Sequence, residues 1–109
     1  MRRYTVALDR DAEQDLEEIV AYIADHDSAA RAVTVADNIE HQIRSLANFP
    51  QRGAYPRELL EYDIRDFREA YFGPYRIIYR VVERTVVIVL IADGRRDMRA
   101  LLARRLLGA

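Results

Sequence analysis

The stretch from Tyr75 to Arg96, YRIIYRVVERTVVIVLIADGRR, constrains the fold more than any other part of the chain. Two runs rich in Val, Ile and Tyr flank Glu83 and Arg84. So short a connection between β-formers demands an antiparallel hairpin. Side chains alternate between the faces of a strand. Tyr75, Ile77, Tyr79 and Val81 therefore share one face, and Arg76, Ile78, Arg80 and Val82 the other. In the next strand Val87, Val89 and Ile91 lie opposite Val86, Ile88 and Leu90. That strand is apolar on both faces, and a strand of this kind is normally covered on both.

The rest of the chain supplies cover for one face. YTVAL, at Tyr4–Leu8, alternates and reads as a short first strand. Asp9 or Asp11 can cap a helix over about 11–25, with Ala12, Leu16, Ile19, Val20 and Ile23 as its apolar stripe. Asp15 and Glu18 fall on its solvated side. Ser28 can cap a second helix over about 29–48, with Ala32, Val35, Ala36, Ile39, Ile43 and Leu46 as the next stripe. The short break between them makes an antiparallel helical hairpin. Pro50 ends the second helix, and PQRGAYP is a loop. RELLEYDIRD reads as a helical turn leading into a strand start. From Phe67 the pattern is β-like, with turns at Gly73-Pro74 and Glu83-Arg84, and MRALLARRLL has helical composition. The expected fold is α+β, in the order β-α-α-β-β-β-α. A helical hairpin packs on a small, mainly antiparallel sheet. The second sheet face is left for the final helix or for another chain, and a patch left bare would mark an interaction site.

A length of 109 residues fits a single domain, 1–109. The absence of cysteine excludes disulfides and thiolate metal sites. His26 and His41 are the only histidines and read as solvated helix residues, so no metal is expected. The opening MRRYTVALDRDAEQD reaches an acid by its ninth residue, unlike a signal peptide. No apolar run approaches the ~20 residues that span a bilayer. The expected location is cytoplasmic, with no membrane partner. Charge is distributed unevenly. Residues 1–43 carry four arginines and ten acids, whereas residues 44–109 carry thirteen arginines and eight acids. Every basic side chain is arginine, whose planar fork suits carboxylates and phosphates.

No glycine-rich phosphate loop and no nucleophile–histidine arrangement occurs. The candidate chemistry is the arginine group: Arg76, Arg80, Arg95, Arg96, Arg99, Arg104 and Arg105. Gly94 is expected to turn the backbone so that Arg95 and Arg96 project at the edge of the sheet. Arg76 and Arg80 have two readings: cross-strand pairing with acids such as Glu69 or Glu83, or a basic face that binds phosphate. Arginine cannot readily serve as a general base at neutral pH, so a nuclease would need a further acid–base group.

Four segments together, AEQDLEEIVAYIADHD, SLANFPQRG, YRIIYRV and IADGRRDM, resemble the RelE/ParE superfamily of type II toxin–antitoxin toxins over nearly the whole chain. The resemblance implies a small bacterial toxin, encoded beside an antitoxin whose tail wraps and neutralises it, with no cofactor. Antitoxin contacts are then expected at Ile78, Val82, Val87, Val89 and Ile91. The superfamily divides in mechanism. RelE-like members are metal-independent endoribonucleases that cleave mRNA in the ribosome. The best-studied ParE-like members poison DNA gyrase, arresting growth and stabilising a plasmid or chromosome. The two RelE-type phosphate-binding arginines fall on Arg76 and Arg96. The RelE lysine positions fall near Phe67 and Glu69, with Arg65 and Arg68 as neighbours. The RelE tyrosine position falls near Leu102, and no tyrosine follows Tyr79. The resemblance is therefore closer to ParE, which favours a non-enzymatic inhibitor of gyrase over a ribonuclease. Target contacts are expected from Arg80, Arg95, Arg96, Arg99, Arg104 and Arg105, in a toxin–antitoxin hetero-oligomer.

Overall fold

A computed structural model describes residues 3–108 of the chain. Asp9 caps the first helix, its carboxylate accepting the Ala12 N–H at 2.8 Å, and Ser28 caps the second by accepting the Arg31 N–H at 3.0 Å. The chain order is β1 (Thr5–Leu8), α1 (Arg10–His26), α2 (Ala29–Ser45), α3 (Arg57–Leu60), β2 (Arg68–Phe72), β3 (Tyr75–Val82), β4 (Thr85–Asp93) and α4 (Met98–Leu106). The second helix ends at Ser45, and the expected last turn to residue 48 is a turn outside the helix. RELL forms the short α3, and Phe67 precedes β2.

The sheet order is β1-β4-β3-β2. Both hairpins are antiparallel, and β1 joins β4 in parallel, Thr5 opposite Thr85. Two-residue turns close the hairpins, and Gly73 takes φ +55° at the first of them.

The sheet is covered on both faces, which explains its double-sided apolar pattern. Ile77, Tyr79, Val86 and Ile88 pack under the α1–α2 hairpin with Ile39 and Ile43. Ile78, Val89 and Leu90 pack under α3 and α4 with Leu59, Leu101 and Leu102. Burial of each such side chain contributes about 1.5–3 kcal/mol.

The register corrects one expected grouping. Tyr79 pairs with Ile88 and Ile78 with Leu90, so Val89 is an extra residue on β4. This bulge inverts the alternation beyond it. Ile91 consequently joins Val86 and Ile88 under the helical hairpin, while Val89 and Leu90 face α4. Strict alternation had placed Ile91 with Val87 and Val89.

Candidate functional site

Arg76 is the most deeply buried of the candidate arginines. It projects from β3 beneath α3 and is 7% exposed. Glu58 of α3 takes it in a two-pronged ion pair, Nη1 to Oε2 and Nη2 to Oε1, each at 2.8 Å. Glu69 of β2 accepts from Nε at 2.7 Å and lies 2.6 Å from Nη2. The Arg76 hydrogen bonds hold the Glu58 carboxyl down at about 2, against an ordinary value of 4.5. The same carboxylates push the Arg76 guanidinium further up, so it is permanently charged. One cation is thus matched by two anions, and Nε, Nη1 and Nη2 each meet a carboxylate oxygen. Of the two readings of Arg76, the ion-paired one describes its surroundings, with Glu69 as one partner. Glu58 was not foreseen, because a four-residue helix gives no periodic signal in the sequence.

Gly94 lies in a turn after β4, closed by the Arg96 N–H donating to the Asp93 carbonyl at 3.1 Å, and it also serves this cluster. A Cβ there would lie 2.8 Å from Arg76 Cδ and 3.1 Å from Cγ, so the glycine makes room for the arginine stem. Its N–H donates to the Pro74 carbonyl at 2.7 Å.

The remaining arginines separate into paired and unpaired groups. Arg95 bonds Asp93 through its backbone N–H and Nε, each at 2.9 Å. Arg99 pairs with Glu61. Arg105 reaches from α4 to Asp15 of α1, two parallel bonds of 3.0 Å, and donates to the Val89 carbonyl at 3.1 Å. Asp15 also accepts the Ile91 N–H at 2.9 Å. It is therefore a half-buried junction between α1, β4 and α4, not the solvated helix residue that its position suggested. Its partners are 76 and 90 residues away in sequence, and local periodicity carries no trace of them. Arg80, Arg96 and Arg104 are exposed and, among the described residues, pair with no carboxylate.

The expected antitoxin contacts divide likewise. Ile78, Val89 and Ile91 are buried by the chain's own helices, at 0%, 8% and 1% exposure. α4 and α3 occupy the face that was left for the final helix or another chain. Val87 is half-buried against α4, and Val82 is 40% exposed. An unfilled apolar surface lies elsewhere, in a cleft of about 500 Å3 along the helical hairpin, lined by Leu8, Leu16, Val20, Ala24 and Ala36 with Glu13, Glu17 and Glu40 at its margins.

No group of three or more metal-ligating side chains gathers among the described residues. His26 stacks on Tyr22 at 4.0 Å, its Nδ1 2.9 Å from the Tyr22 carbonyl oxygen. No helix among them is long and apolar enough to cross a membrane.

Residues 6–98 match the family of the ParE toxin of the type II toxin–antitoxin system, parDE. No curated protein sequence matches the chain. Among solved structures, a chain of the chromosomal ParDE TA system from P. aeruginosa superimposes with a TM-score of 0.69 and 18% identity, over 84% of this chain and 96% of that one. At that identity the likeness is one of fold. A chain of the toxin–antitoxin complex RelBE2 from Mycobacterium tuberculosis gives a TM-score of 0.56 and 25% identity, over 85% of this chain and 93% of that one.

Proposed function

The chain belongs to the ParE toxin family of type II toxin–antitoxin systems, and from that premise we propose that it is a non-enzymatic poison of DNA gyrase, held inactive by a cognate antitoxin. The observation that supports this over RNA cleavage is the state of Arg76. In the ribonuclease branch the corresponding strand arginine binds phosphate. Here Glu58 and Glu69 hold its guanidinium, and the pair of carboxylates would repel a phosphodiester brought to it. The position of the RelE-type tyrosine is also filled by apolar α4 side chains near Leu102.

Target contact then falls to the exposed cations with no carboxylate partner among the described residues: Arg80 on β3, Arg96 beside the end of β4 and Arg104 on α4. The antitoxin is a ParD-like chain. The apolar cleft along the α1–α2 hairpin, with glutamates at its margins, suits an amphipathic segment carrying basic residues. Both solved likenesses come from toxin–antitoxin systems, which supports a partner of this kind.

The test is a supercoiling and cleavage-complex assay with purified toxin and gyrase. The expected result is inhibition that the cognate antitoxin reverses. Purified toxin that arrests cells yet leaves gyrase untouched would sink the proposal. It would turn attention to mRNA cleavage on ribosomes, with Arg96→Ala as the diagnostic variant.

A further inference from the structure

Three arginines line one cavity at the end of β3 remote from Arg76. β2 begins at Arg68, opposite Tyr79, so the residues just before it run alongside Arg80 and Val81. Arg65, Arg68 and Arg80, with Gln51, Asp66 and Val81, line a cavity of about 270 Å3. It is separate from the Glu58–Arg76–Glu69 cluster, four residues or about 13 Å back along the strand.

The three arginines differ in how they are held. Arg68 is fixed by neutral groups alone. Its Nη1 donates to the Gly53 carbonyl at 2.8 Å and the Gln51 carbonyl at 3.3 Å, its Nη2 to Tyr55 Oη at 3.1 Å, and the guanidinium lies 4.5 Å from the centre of the Tyr55 ring. Its position is set while its charge is unmatched. Arg80 is exposed and pairs with no carboxylate among the described residues. Arg65 pairs with Asp63 on the outer side. Three cations therefore face two carboxylates, Asp66 in the lining and Asp63 behind Arg65.

From this arrangement we infer that the pocket binds a phosphodiester group of a nucleic-acid backbone. The lining combines one arginine held in place with two exposed ones, and guanidinium forks of this kind suit phosphate oxygens. The cavity admits one phosphate and its adjoining sugar, and it is small for a run of acidic side chains. Beside Gln51, Arg52 sits 5.6 Å from the centre of the ring of Phe49, which is 58% exposed. The turn that brings Gln51 to the cavity thus also carries an exposed aromatic ring with a cation over it, a pairing that suits base stacking more than it suits an acidic peptide. The pocket's chemistry does not depend on which enzyme the toxin poisons.

The experiment is fluorescence anisotropy of a short labelled DNA duplex with purified toxin, at low and at physiological salt. The wild type should bind at low salt. Arg80→Gln and Arg65→Gln, both at exposed positions, should each weaken binding about three- to tenfold and lower the salt slope by about one. Arg10→Gln, on the first turn of α1, removes the same charge elsewhere and should leave binding unchanged. Melting curves of all variants check folding. Three results would each overturn the assignment: no duplex binding by the wild type at low salt, equal binding by wild type and Arg80→Gln, or a polyglutamate peptide that displaces the duplex at lower concentration than unlabelled DNA does. Binding of inorganic phosphate without the duplex would reject the backbone as its ligand.

Discussion

Arg76 and Arg80 occupy the same strand and the same face, two alternations apart, yet have opposite circumstances. Arg76 lies under α3, is held by two carboxylates and leans its stem against Gly94. Arg80 lies beyond the start of β2, with no helix over it and no acid bonded to it. The strand alone does not distinguish them. The distinction comes from what the neighbouring segments bring: Glu58 and Glu69 at one end, Arg65 and Arg68 at the other. An arginine held by two carboxylates within the fold maintains structure, and one left among like charges is free for a ligand.

Three substitutions or conditions sharpen this contrast. The largest effect is expected from Arg76→Ala. It leaves two buried carboxylates without their cation, and loss of one partner from a buried pair costs about 3–5 kcal/mol. Chemical denaturation should show a fall of that size. A loss below about 1 kcal/mol would mean that the cluster is solvated and the contrast with Arg80 false. The second effect is acid sensitivity. Glu58 has a folded value near 2 and an ordinary value of 4.5, so its contribution is complete above about 4.5 and disappears as pH falls toward 2. The shift corresponds to about 3 kcal/mol. Denaturation midpoints followed from neutral pH into acid should drop in that window, and the drop should be absent in Glu58→Gln. The smallest effect is that of Arg80→Ala on stability, within about 0.5 kcal/mol, because an exposed side chain without an ion pair loses little. A larger loss in the same denaturation series would place Arg80 in the structural class with Arg76.

Much of the fold was legible in the sequence because its signals are local. The α1 and α2 stripes, the Asp9 and Ser28 caps and the two tight hairpin turns all lie within a few residues of the atoms they arrange. The misjudged features are non-local or irregular. The Val89 bulge interrupts a period of two that a run of Val, Ile and Leu cannot register, since every residue in it suits either face. α3 is a single turn in a segment readable as helix or strand, so Glu58 could not be aimed at Arg76. Asp15 looked solvated because the first helix gives no sign of Arg105, which arrives from the last. The candidate site suffered most. Which arginine is occupied depends on acids distant in sequence, and composition reports only that the cations exist.

The parallel pairing of β1 with β4, Thr5 against Thr85, also sets a timetable for synthesis. The first strand emerges early but has no neighbour until most of the chain has been made. The helical hairpin is complete by Ser45, while the strands it must cover are still unmade. Long-range pairing of this kind forms late and leaves apolar surface open meanwhile. A growing chain thus presents the stripe of Ile39 and Ile43 before the strands that bury it, and the arginines from Arg52 onward, have been made. A cell that synthesises this protein meets a sticky, unarmed helical pair first, and the finished toxin only when β4 closes the sheet.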